Sequence, residues 1–141
     1  MDVTVRYLGS KMFEMTARGH RVLADQPFDN HGTDAAMTPP ELLLSSLGAC
    51  AAYYAEEYLS ARNLPAGALQ VRVSASKGDR PARITSIEVE VIAPGLDERH
   101  REGVRRAVDL CLIKQTLIKT PRIELKLLSS PEVHQPEAAL S

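Results

Sequence analysis

Up to Ala24 the chain alternates apolar and polar positions with a period of two, and beyond a polar loop the period becomes helical. Val3, Val5 and Tyr7 alternate with Thr4, Arg6 and Leu8, which predicts a short strand ended by a turn at Gly9-Ser10. Met12–Ala17 and His20–Ala24 read as two more strands joined through Arg18-Gly19. Residues 25–37, rich in Asp, Asn, Gly and Pro, read as a loop. Then Thr38 stands at a helix N-cap, Pro39 at the favoured first position and Glu41 three residues after the cap. That spacing is a capping box, in which the Thr38 and Glu41 side chains each satisfy the other's backbone N–H. The helix is expected to run to about Arg62, where Asn63-Leu64-Pro65 stops it.

Alternation resumes at Leu69, Val71, Val73 and Ala75, with Gln70, Arg72, Ser74 and Ser76 on the opposite face. Ile87, Val89 and Val91 against Glu88 and Glu90 predict an antiparallel partner across a turn at residues 78–81. Pro94-Gly95 ends that strand. From residue 97 to about 110 a charged helix carries Val104, Ala107, Val108 and Cys111 on or near one stripe. Ile123, Leu125 and Leu127 against Arg122, Glu124 and Lys126 predict a last strand, and a polar tail follows from Pro131. The order βββ-α-ββ-α-β, with no internal repeat, argues an α+β fold with a mostly antiparallel sheet.

The first helix is unusual in composition. Between Leu44 and Ala55 it carries Ser45, Ser46, Gly48, Ala49, Ala51 and Ala52, and its first half is apolar almost all round. Small side chains admit another backbone at close range, and an all-round apolar helix needs cover on several sides. A single small sheet does not easily supply that cover, and burial against a second copy of the chain would; the alternative is its own sheet together with the second helix.

Length and charge narrow the possible functions. At 141 residues the chain fits one domain with a core that needs no disulfide staples. A net charge of −1, no run of Lys or Arg, and few aromatic residues for stacking bases argue against a nucleic-acid partner. No apolar stretch approaches the length of a bilayer span, so no membrane association is expected. The N-terminal residues lack the basic and apolar regions of an export signal, which makes the cytoplasm the expected location. There a permanent disulfide is disfavoured.

Candidate chemistry rests on two cysteines, Cys50 in the first helix and Cys111 after the second. Free cysteine is often a small buried hydrophobe, yet a lone pair of thiols also suits a transient disulfide. Only the thiolate attacks well, and Cys50 lies too far past the N-cap for the helix dipole to help it. A cation from elsewhere is needed; Arg18 and Arg21 have suitable chemistry. His20, His31, His100 and His134 are scattered without ligand spacing, so no metal or cofactor is expected. The Glu98/Arg101 and Glu102/Arg105/Arg106 charges read as a solvated helix face.

Residues 13–25, the Thr38-Pro39-Pro40-Glu41-Leu42-Leu43-Leu44 run leading to Gly48-Ala49-Cys50, and a second cysteine after Ala107-Val108-Asp109-Leu110 together resemble the OsmC/Ohr family. These are osmotically inducible and organic-hydroperoxide-resistance proteins, and the closest likeness is to the YhfA-type branch. The resemblance extends to about Leu128, so residues 1–130 are expected to form a single OsmC-like domain and 131–141 a C-terminal tail. It implies an intertwined homodimer, with mostly antiparallel sheets around two central helices. It further implies a peroxidatic thiol at Cys50 that reduces an organic hydroperoxide, a resolving thiol at Cys111, and a dithiol reductant of lipoyl type or another kind. Three departures accompany it, one being that the loop of the family's catalytic arginine has no single counterpart here, so that role is carried over to neither Arg18 nor Arg21. Aligned on Cys50, Pro40 falls where the peroxidase branches place the glutamate that holds an activating arginine, and Leu112 follows the second cysteine where they tend to have proline. The alternative is a non-catalytic dimer of the same fold, with structural cysteines and a pocket for a small apolar or thiol-containing ligand.

Overall fold

The computed structural model describes residues 1–130; the tail expected at residues 131–141 lies outside them. Three strands form before the first long helix. β1 (Thr4–Gly9), β2 (Met12–Ala17) and β3 (His20–Ala24) make an antiparallel meander in the order β1-β2-β3. Tyr7 pairs with Phe13, and Phe13 with Ala24, while Arg6 pairs with Glu14 and Glu14 with Leu23. Because strand side chains alternate, the register gathers Val5, Tyr7, Phe13, Met15 and Val22 on one face. The β2–β3 turn is the two-residue loop Arg18-Gly19, both at positive φ, of the kind that matches strand twist.

The loop at residues 25–37 is built around a buried carboxylate. Asp25 accepts from the Thr33 hydroxyl at 2.6 Å and from the backbone N–H groups of Gln26, Ala35 and Thr33 at 2.8, 3.1 and 3.3 Å. These donors, the Thr33 hydroxyl foremost, hold its pKa down at about 2. Gly32 is obligatory here, since a Cβ would overlap the Gln26 carbonyl. The loop delivers the chain to the expected capping box: Thr38 N–H donates to Glu41 Oε2 at 3.1 Å, and Glu41 N–H to Thr38 Oγ1 at 3.4 Å.

α1 (Pro39–Ser60) buries Leu47, Gly48, Ala51, Ala55 and Leu59, a stripe repeating every four residues. It rests on the β4 (Gln70–Gly78) and β5 (Arg83–Ile92) hairpin and against α2 (Glu98–Asp109). In that hairpin Val71 pairs with Val91 and Val73 with Val89, turned toward α1, while Arg72 and Glu90 pair on the solvent face. Gly48 is the point of closest approach, where a Cβ would lie 3.1 Å from Val73 Cγ2. So the helix glycine serves the chain's own sheet. The core centres on Ala55, Leu59 and Val104, with Tyr58, Leu64, Leu69, Val91, Leu96 and Val108 around them. Tyr58 locks α1 to α2: its hydroxyl lies 3.1 Å from His100 Nδ1, and its ring fills the space over Gly103.

Two features differ from the sequence pattern. Leu112–Ile118 forms a third helix, α3, where no element was expected. Ile123, Leu125 and Leu127 form no strand and are 88, 96 and 96 % exposed. The alternation there is right for a strand, but a strand needs a neighbour to take its N–H and C=O groups, and the described residues offer none. The β1–β3 sheet is in a similar position. It makes no substantial contact with α1, α2, α3 or the β4–β5 hairpin, and its apolar face stays exposed at Val5, Tyr7, Phe13 and Val22.

Candidate active site

The two cysteines, separated by 60 residues of sequence, are brought together by the packing of α1 against the corner between α2 and α3. Cys50 stands beside the buried stripe of α1, one residue before Ala51, and is half-buried. Cys111 is the N-cap of α3 and has no exposed surface. Both are free thiols, and Cys50 lies near enough to Cys111 to perturb its titration. Burial pushes the Cys111 thiol above the ordinary range, and the nearby Cys50 thiol pushes it the same way. Backbone N–H groups of Lys114 and Ile113 oppose them, the former 3.5 Å from Cys111 Sγ. The pair is asymmetric: Cys50 is half-buried, while Cys111 is sealed and caps the start of a helix.

Flanking Cys111 is an ion pair that the sequence did not advertise. Lys114 Nζ, in the first turn of α3, contacts Asp109 Oδ1 at the end of α2, and Lys114 holds the Asp109 carboxyl below its usual range. Gln115 Nε2 donates to the Asp109 carbonyl at 2.8 Å. The five-residue separation of Asp109 and Lys114 crosses a helix boundary, so neither helical nor strand periodicity links them. No pattern signal would have found the pair.

The arginines singled out from sequence are elsewhere. Arg21 pairs with the buried Glu14, which also takes Arg6 Nη2 at 2.9 Å. Arg18 is exposed at the tip of the β2–β3 turn. Both sit on the sheet that stands apart from α1, so this chain does not bring them to its own cysteines. Glu41 is engaged in the capping box, and Pro40 is exposed. His100 bonds Tyr58, while His20 and His31 are exposed; His134 lies outside the described residues. Among the described residues no group of His, Cys, Asp and Glu is arranged to hold a metal ion, and no helix is long and apolar enough to cross a membrane.

An open groove of about 1000 Å³ runs between β5 and α2 to Cys111. Its floor is apolar, with Ile87, Val89, Val91 and Val108. On its rim the charges neutralise one another, with Arg101 bonded to Glu98 at 3.1 Å and Arg105 to Glu102 at 3.6 Å. These are the helix-face charges read from the sequence.

Comparison with known proteins gives one family match. The model of the OsmC-like protein family matches residues 32–126. No curated protein matches the chain. Solved structures share its fold. An osmotic stress induced and detoxification response protein of Psychrobacter arcticus superimposes with a TM-score of 0.74 at 18 % identity, over 81 % of this chain and 85 % of that one. An OsmC-like protein of Mycoplasma pneumoniae gives 0.70 at 20 % identity, over 84 % and 87 %. An organic hydroperoxide resistance protein OsmC of Legionella pneumophila gives 0.59 at 16 % identity, over 83 % and 89 %.

Proposed function

From a chain that belongs to the OsmC-like protein family and pairs a half-buried thiol with a sealed one, we infer a thiol-dependent peroxidase that reduces organic hydroperoxides. The observation that carries this reading is that the fold brings the free Cys50 and Cys111, distant in sequence, near one another across the α1 and α2–α3 packing. The difference in burial supports giving the attacking role to Cys50 and the resolving role to Cys111. The Cys50 thiolate attacks the distal peroxide oxygen, the O–O bond breaks, and the alkoxide leaves as an alcohol after taking a proton. Cys50 is then a sulfenic acid. The Cys111 thiolate attacks the Cys50 sulfur, hydroxide leaves as water, and a disulfide closes. A dithiol reductant of lipoyl or other type reopens it by exchange, becoming a disulfide itself. The family match and the description of the Legionella relative support this chemistry.

The active species in this proposal is a homodimer. An unpartnered apolar sheet face, an unpaired apolar segment at residues 123–127, and the exposed Leu43, Ala49 and Tyr53 of α1 are surfaces that a second copy would cover. The second copy would also bring an arginine toward Cys50, since this chain's own Arg18 and Arg21 sit on the sheet that stands apart from α1. Arg18 suits that role better than Arg21, which is held by Glu14.

The test is steady-state consumption of cumene hydroperoxide with a dithiol reductant. Wild-type protein is expected to turn over and Cys50→Ser to fall to background; equal rates for the two overturn the reading. The groove beside Cys111 favours a second reading, a binding module for a small apolar ligand. In that case wild-type and Cys50→Ser bind such a ligand equally and neither consumes peroxide.

A further inference from the structure

We propose that Asp109 and Lys114 are positioning residues for Cys111, clamping the α2–α3 corner so that its sulfur is aimed at Cys50. This rests on the peroxidase reading and concerns its second step, closure of the disulfide. Cys111 is two residues after Asp109 and three before Lys114, so the ion pair spans it from both sides. The corner has a second tie in Gln115 Nε2 to the Asp109 carbonyl at 2.8 Å. Backbone bonds end one helix and start the next around the same residue: Cys111 N–H donates to the Val108 carbonyl at 3.0 Å, and Gln115 N–H to the Cys111 carbonyl at 2.9 Å.

Apolar packing at this corner comes from Cys111 itself and from Val108 before it. The neighbours of Cys111 on each side, Leu110 and Leu112, are 68 and 60 % exposed, so neither anchors the backbone between them. The polar ties add to that anchor by joining the two sides of the turn. The Asp109 and Lys114 side chains are themselves 44 and 36 % exposed, and an ion pair that wet adds little to overall stability. Its consequence is direction. A sulfur attacking a sulfenic acid must approach along the S–O axis, and intramolecular rates fall steeply when such an approach is off line. In the closure step Cys111 loses its proton and forms the S–S bond, the Cys50 S–O bond breaks, and the oxygen leaves as water. Asp109 and Lys114 exchange no atoms in it.

The experiment separates the two steps. Full-length wild type, Asp109→Asn, Lys114→Met and Lys114→Arg are each given one equivalent of cumene hydroperoxide. Disulfide is followed by intact mass after rapid quenching, and Cys50 sulfenic acid by dimedone capture. The clamp requires closure to slow by about tenfold or more in Asp109→Asn and Lys114→Met. Dimedone adducts on Cys50 should rise in both. Lys114→Arg, which keeps a cation for Asp109, should close at close to the wild-type rate. A variant that had merely lost stability would not accumulate the trapped intermediate or respond to which cation stands at position 114. Wild-type closure rates in both Asp109→Asn and Lys114→Met overturn the clamp and leave the peroxidase reading standing. Wild-type protein that gives neither adduct nor mass loss overturns the peroxidase reading, and the clamp with it.

Discussion

Burial separates Cys111 from Cys50, and pH is the variable that exposes the difference. A thiol whose pKa is raised in the folded chain keeps its proton where the unfolded chain has lost it. The folded state then binds more protons, so stability falls as pH rises above about 8.5, the thiol's ordinary pKa. The wild-type melting temperature should therefore drop more steeply than that of Cys111→Ala between about pH 8 and pH 10. Parallel curves would mean that burial does not hold the thiol neutral. The two cysteines themselves were legible from sequence because they are the only ones and sit in recognisable surroundings. Asp109 and Lys114 were not, because their link is made by a turn between helices rather than by a repeat.

The elements follow the pattern where local signals and packing agree. The capping box, the alternation in β1 to β4 and the stripe of α1 lie where the residues put them, within a residue or two at the ends, while β5 begins at Arg83, four residues before the alternation at Ile87. The small residues of α1 divided in a way that composition could not foretell: Gly48, Ala51 and Ala55 face the chain's own hairpin and α2, while Ser45, Ser46 and Ala49 are exposed. Which small residue meets which neighbour is a property of three-dimensional packing. Gly103 gives a test at this level. A Cβ there would overlap the Tyr58 hydroxyl and ring, so Gly103→Ala must expel Tyr58 from its place between α1 and α2. Urea unfolding should show a loss of about 1–3 kcal/mol, typical of overpacking. Tyr58→Phe, which gives up only the hydroxyl's bond to His100, should lose about 0.5–1.5 kcal/mol. If Gly103→Ala is as stable as wild type, the α1–α2 contact is looser than described.

For the whole molecule, the C-terminal alternation is the place where sequence and single-chain structure part. Ile123, Leu125 and Leu127 have the spacing of a strand and lie bare of neighbours, as does the apolar face of the β1–β3 sheet. A pattern that is right but unpaired points to a partner outside the chain. Analytical ultracentrifugation should find a particle of twice the 15.4 kDa chain mass. Leu125→Asp should shift it toward the single chain, and a wild-type protein that sediments as one chain contradicts the homodimer. The claim on which the rest stands is that Cys50 and Cys111 are a working redox pair, and intact mass after one equivalent of organic hydroperoxide tests it most directly. The account expects wild type to lose two hydrogens, Cys111→Ser to gain one oxygen, and Cys50→Ser to stay unchanged. A wild-type mass that does not move, with both thiols still open to alkylation after unfolding, contradicts it.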